Sequence, residues 1–273
     1  MPAFDFKIRS YNERMKKMSN VVEIIFSPTG GTEKVTNQLS KSLGKVKEVV
    51  HLNRYGVDFT DVKIGKEDLA VIAAPVFEAV IPDMAIERIR QIKGNGANCV
   101  VVAVYGNRAY DDGLIQLKDT AEWCGFQVVA AIAAVAEHSI MRQFGTGRPD
   151  SEDEKELQAF AEKIKEKLTE NEKINTDYFV PGSHEYKRIG NLNVVPKADE
   201  NCVSCGKCAA ACPAGAIDKN DIKTGDSEKC ISCMGCIAAC PVKARKLDSM
   251  FLAAASAKME PFLSGRKPNE IFL

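Results

Sequence analysis

No stretch of the 273 residues comes near the roughly 18 consecutive apolar residues that a membrane-spanning helix needs. Residues 1–20 also lack the apolar core of a secretory signal, so the expected location is cytoplasmic. An excess of charge is missing as well. The 37 basic side chains are matched by 37 acidic ones, which removes the electrostatic footprint of a nucleic-acid-binding protein. With three histidines, no His-Glu-x-x-His run and no Ser, His, Asp set at recognisable spacing, hydrolytic chemistry has no visible basis. No catalytic residue is assigned. Cysteine is scarce outside 202–240, where only Cys99 and Cys124 occur, and both read as core residues.

What is present is an alternation of strand and helix patterns. Apolar, β-branched runs at 21–26, 47–52, 69–74, 98–105 and 126–136 are separated by helical patterns at 32–43, 82–93 and 112–124. A charged helix at 151–170 follows, with Asp150 or Ser151 as its cap. Strands that are apolar throughout and joined by helices predict a parallel sheet covered on both faces. The expected divisions are an N-terminal extension 1–20, an α/β domain 21–178, a linker 179–198, a cysteine-rich domain 199–247 and a tail 248–273. The tail ends in Phe262, Leu263 and Ile271-Phe272-Leu273, apolar enough to require a surface to dock on.

Eight of the ten cysteines lie in an internal repeat, CVSCGKCAAACP at 202–213 and CISCMGCIAACP at 230–241, with a period of 28 residues. Each copy is C-x2-C-x2-C-x3-C-P, the run of bacterial two-cluster ferredoxins, in which the fourth cysteine ligates the other cluster. Three thiolates two residues apart wrap one cubane, while the fourth, carried into a helix, reaches its neighbour. That resemblance assigns Cys202, Cys205, Cys208 and Cys240 to one 4Fe-4S cluster and Cys230, Cys233, Cys236 and Cys212 to the other. Structural zinc would use C-x2-C pairs with a longer spacer. Residues 199–248 carry seven acidic and seven basic side chains, so thiolate-bound clusters would make this domain anionic.

Ser27-Pro28-Thr29-Gly30-Gly31-Thr32 follows the first strand and opens the first helix. Hydroxyls and glycines at a helix N-terminus suit a phosphate monoester, because free N–H groups and the dipole meet its charge. A capped turn without a ligand remains the alternative. Two further loops end the next core strands, Pro75-Val76-Phe77-Glu78-Ala79-Val80-Ile81-Pro82 and Tyr105-Gly106-Asn107-Arg108-Ala109-Tyr110, the edge where doubly wound sheets bind ligands. The three loops together resemble the flavodoxin family. With the cysteine repeat, nearly the whole chain resembles fusions of a flavodoxin-like domain with a two-cluster ferredoxin domain. The resemblance implies an α/β fold with a five-stranded parallel sheet of order 2-1-3-4-5 and a small α+β dicluster domain. It also implies FMN, its phosphate on Ser27, Thr29, Gly30, Gly31 and Thr32. Its ring would lie between Pro75, Val76 and Phe77 on one side and Tyr105, Gly106, Asn107, Arg108 and Tyr110 on the other. His138 is a further candidate to approach the ring. Family members carry P-V-Y-x-G-R-x-P in the second loop; Phe77, Ala79 and Val80 replace its Tyr, Gly and Arg.

Three functions follow as expectations. The first is an electron-transfer iron–sulfur flavoprotein that passes single electrons through two 4Fe-4S clusters to or from FMN and a partner redox enzyme. The second is an FMN-dependent reductase of a small substrate, fed by the clusters. The third is a non-catalytic sensor or binding module with an empty flavodoxin-like domain. Redox partner proteins are expected under the first, nucleic acid and a membrane span are not, and a homodimer is compatible with all three.

Overall fold

The computed structural model describes residues 20–170, 174–190 and 192–273; the expected extension, Asn20 apart, lies outside the described residues. Five parallel strands form the core sheet: β1 (Asn20–Ile25), β2 (Lys45–His51), β3 (Leu69–Pro75), β4 (Asn98–Tyr105) and β5 (Gln127–Val135). Their order is β2-β1-β3-β4-β5, the flavodoxin-like winding whose switch point lies between β1 and β3. A sixth strand, β8 (Glu270–Phe272), joins antiparallel to β5. Three residues are too few for a period-2 pattern to declare itself, so the sequence led to five strands. Their pairing covers part of an edge that would otherwise present open backbone groups.

The pleat sorts side chains onto two faces. Ala70, Ile72 and Ala74 of β3 and Cys99, Val101 and Ala103 of β4 face α2 (Asp83–Ile89) and α3 (Gly113–Trp123). Leu69, Val71, Ala73, Val100 and Val102 face α1 (Gly31–Leu43) and α4 (Ser151–Glu170). β3, β4 and β5 are buried on both faces, which is why they read as apolar runs, whereas Glu23 interrupts β1 and the edge strand β2 is largely exposed. Helix α2 stops at Ile89 rather than running to 93, because Gln91 and Ile92 donate to Arg88 and Ile89, three residues back, and tighten the chain into a turn. Asp150 caps α4, its Oδ1 accepting from the N–H groups of Glu152 and Asp153.

The cysteine-rich segment adds two one-turn helices, α5 (Lys207–Ala210) and α6 (Gly235–Ala238), and a small antiparallel pair, β6 (Lys197–Ala198) with β7 (Arg245–Lys246). Helix α7 (Ser249–Leu263) leads back to the α/β domain and β8. Leu263 is buried, and Ile271 and Phe272 pack on opposite faces of the sheet, whereas Phe262 and Leu273 stay exposed.

Candidate metal centre

The two repeats impose the same backbone on their loops. Ser204 and Ser232 both lie at φ +52°, and Gly206 and Met234, also 28 residues apart, lie at +72° and +62°. Such reversals turn successive N–H groups inward, a geometry that accommodates an anion. Met234 adopts it despite its Cβ, at a cost of about 1–2 kcal/mol for a left-handed residue, and is buried against the inner cavity.

Two cavities result. The inner is lined by Cys212, Cys230, Cys233 and Cys236, the outer by Cys202, Cys205, Cys208 and Cys240. Each thus contains three cysteines of one repeat and the fourth of the other. Among the described residues no three metal-binding side chains converge on one point as a single ion would require. Four sulfurs spread around a cavity instead fit a cubane, in which each thiolate meets its own iron. Burial pushes the Cys233 thiol up to about 12 and Cys236 to about 11. Ligation by iron, which binds the thiolate, offsets that cost. Burial also works against the Cys240 thiolate, but the N–H groups of Arg245, Ala244, Val242 and Lys243 outweigh it and lower the thiol pKa. Cys212 Sγ accepts from the Ala216 N–H at 3.2 Å.

Residues 195–245 match the model of the 4Fe-4S dicluster domain. That match implies two 4Fe-4S clusters in this segment. The α/β domain is similar to a flavodoxin of Streptococcus pneumonia TIGR4, at 19% identity over 54% of this chain and 97% of that one, with a TM-score of 0.34. It is also similar to oxidised Flavodoxin 2 from Bacillus cereus, at 14% identity over 55% and 99%, with a TM-score of 0.39. No curated protein matches the chain at a significant level. The flavodoxin-like fold therefore rests on the strand order itself.

The dicluster domain is seated on the ligand-binding edge of that fold. A Cβ on Gly235, beside the inner ligand Cys236, would lie 3.1 Å from the Pro28 carbonyl oxygen of the phosphate loop. Met84 packs against both the α/β core and the dicluster core, Ile231 rests on the former, and Arg88 donates to the carbonyl of Pro213 at 2.7 Å. The inner cysteines therefore face the α/β domain. Cys205 of the outer set is exposed, and Val203 beside it is 62% exposed.

Within the phosphate loop, Ser27 Oγ accepts from the Glu33 N–H and Asn53 clamps the Ser27 backbone through both N–H and C=O. The N–H groups of Thr29, Gly31 and Thr32 find no acceptor among the described residues, and Thr29 is exposed. These donors fit a phosphate monoester. In the second loop Pro75, Val76 and Phe77 lead into a tight turn, with Glu78 at φ +51° and Ala79 at +80° and a Phe77–Val80 bridge. Both residues stand where glycine is favoured, and Glu78 and Ala79 carry that strain with their Cβ atoms. Phe77 is half-buried and lies outside the core clusters.

The third loop is largely claimed by the chain itself. Tyr105 is buried and donates to the Pro268 carbonyl, and Tyr110 sits edge-on to it and donates to Glu270. Asn107, buried at φ +64°, donates to the carbonyls of Leu263 and Gly265, and Arg108 pairs with Asp111. Gly106 packs against the ring of His138, where a Cβ would come within 2.9 Å. His138 Nδ1 accepts from the N–H groups of Ile140 and Met141, and burial lowers its pKa to about 4. Linker residues cover both loops: Ile189 donates to the Glu78 carbonyl, and Ser183 and Lys187 donate to the Asp112 carboxylate.

Sequence reasoning passed over the groups that fasten the tail. Asp153, fully buried, pairs with Arg148 and accepts from Asn269 and Arg266; Asn269 accepts from the Val135 N–H of β5. Arg148 lies only five residues from Asp153, but nothing local marks Arg266 and Asn269 as its partners, because they meet it across more than 110 positions. Arg245, also overlooked, carried a signal just beyond the repeat: 28 positions earlier, at the same offset from the first copy, stands the aliphatic Ile217.

Proposed function

We propose that this protein is an electron carrier in which two 4Fe-4S clusters exchange single electrons with a redox partner and with FMN in the flavodoxin-like domain. The observation that carries the reading is the pair of four-cysteine cavities, each completed by a cysteine of the opposite repeat. When bound, the clusters supply one-electron transfer and FMN supplies exchange of one or two electrons. The chain arranges these sites in series. Three of its four inner cysteines, Cys212, Cys233 and Cys236, are buried on the side of the phosphate loop, and its outer set opens to solvent at Cys205, where a partner protein docks.

For FMN, the N–H groups of Thr29, Gly31 and Thr32 and the Thr29 hydroxyl hold the phosphate. Phe77 and Tyr110 flank the ring, with Pro75, Val76 and the Gly106 backbone completing the walls. Tyr105, Asn107 and Arg108, engaged elsewhere in the chain, shape the loop from behind. A short single phosphate turn favours FMN over FAD. Among the described residues no helix is long and apolar enough to cross a membrane, which suits a carrier reached by diffusing partners.

Anaerobic purification followed by assay of flavin, iron and acid-labile sulfide tests the reading. About eight irons, eight sulfides and one FMN per chain are expected for two cubanes and one flavin site. Zinc in place of iron would overturn the clusters; equal uptake of FAD and FMN would overturn the flavin assignment.

A further inference from the structure

Arg245 is a cation buried where the sequence repeat has an aliphatic side chain. Its counterpart 28 residues earlier is Ile217, buried against the inner cavity. Arg245 is 2% exposed and lines both cavities. Its guanidinium donates to the carbonyls of Pro196, Ile222 and Thr224, leaving Nε, fully buried, without an acceptor. Among the described residues no carboxylate pairs with it; Asp221, which feels its charge, is exposed. An unpaired charge in such a place is destabilising unless an anion shares the cavity. Carbonyl dipoles satisfy part of the fork but leave its net charge standing. The two cavities it separates are those lined by the eight cysteines, and a cubane held by four thiolates is an anion.

We infer that Arg245 is a shared counter-cation of the two cluster sites that raises their reduction potentials. The inference rests on the two-cluster reading above. Reduction adds one negative charge to a cluster, so a fixed neighbouring cation stabilises the reduced form more than the oxidised one. The repeat therefore encodes two nearly equivalent loops with one charge between them. Ile217 marks the neutral half of the pair. The guanidinium fork also ties together Pro196, Ile222 and Thr224, so a purely structural role has to be separated from a charge effect.

The experiment compares full-length unsubstituted protein with Arg245→Met and Arg245→Lys. Iron and sulfide are assayed first, and midpoints are then read by EPR-monitored redox titration. With the unsubstituted chain holding its eight irons, Arg245→Met is expected to shift at least one cluster tenfold or more towards the oxidised form at fixed potential, about 59 mV for one electron. Arg245→Lys, which keeps the charge and loses the fork, should restore most of that shift. Unchanged midpoints in Arg245→Met, or an equal fall in both variants, would overturn the inference. An iron-free unsubstituted chain would instead overturn the two-cluster reading. If the substituted chains fail to load, 15N-arginine labelling of the unsubstituted protein decides. One Nε–H signal should shift or vanish on reduction, and signals identical in both states would reject the assignment.

Discussion

Cys212 and Cys240 carry the most specific consequence at the scale of single residues, because each closes the cavity whose other three ligands lie in the opposite repeat. Cys212→Ala should lose the cluster of Cys230, Cys233 and Cys236, and Cys240→Ala that of Cys202, Cys205 and Cys208. Iron should fall from about eight to about four per chain in either variant. Distinct EPR signals of the surviving cluster in the two variants would establish the crossing; identical residual spectra would contradict it. His138 supplies a pH dependence. Burial lowers its pKa from 6.5 to about 4, so the folded state refuses a proton that the unfolded chain accepts. Its contribution is complete above pH 6.5 and is lost as pH falls towards 4, by up to about 3 kcal/mol at 1.36 kcal/mol per unit. Denaturant melts at pH 7.5 and 4.5 check this, with His138→Asn keeping an acceptor for Ile140 and Met141. The variant should lose less stability on acidification than the parent.

Among the elements, the join between α4 and the strand β8 depends on one buried carboxylate. Burial acts to raise the Asp153 pKa, but hydrogen bonds from Arg148, the Asp150 N–H and Asn269 more than compensate and hold it below the usual range. Asp153→Ala removes the partner of Arg148, itself 6% exposed, and leaves a buried cation unpaired. A loss of about 3–5 kcal/mol is expected, measured by urea melts followed by circular dichroism. Lys155→Ala, at an exposed position of the same helix, is the control and should stay within about 0.5 kcal/mol. Element types were legible in the sequence because β1, β3, β4 and β5 are apolar runs bounded by turn residues. Helix α2 was overextended because Arg90, Gln91 and Ile92 continue its pattern while their hydrogen bonds have already shortened. The strand β8 was not legible at all, since three residues gain strand character only from the β5 edge beside them.

Over the whole molecule, the chain folds back on itself so that linker and dicluster domain rest on the ligand edge of the sheet, while the tail runs past Tyr105 and Asn107 to pair with the β5 edge. Truncation after Asp248 removes α7 and β8, exposing the flanks where Ile271 and Phe272, both half-buried, packed. Small-angle scattering should show a larger radius of gyration, and urea melts a stability lower by about 1–3 kcal/mol for those two half-buried side chains. An unchanged compact shape would mean that Arg88 on Pro213 and Gly235 on Pro28 suffice to seat the dicluster domain.

The sequence by itself determined the parts whose information is local. Cysteine spacing set the ligand chemistry, because three C-x2-C-spaced thiolates with a fourth beyond three intervening residues do not match the paired C-x2-C of zinc sites, and a repeat of that run set the number of sites. Runs of apolar residues set the parallel sheet, since burial on both faces leaves no room for alternation. Only the tertiary structure decided what depends on distant segments meeting. It turned the inner cysteines towards the phosphate loop, engaged Tyr105 and Asn107 with the tail, and surrounded Asp153 with Arg148, Arg266 and Asn269. It also buried Arg245 between two cavities. A residue's charge is written in the chain, but its cost and its use follow from what lies beside it after folding, and no local pattern records that neighbour.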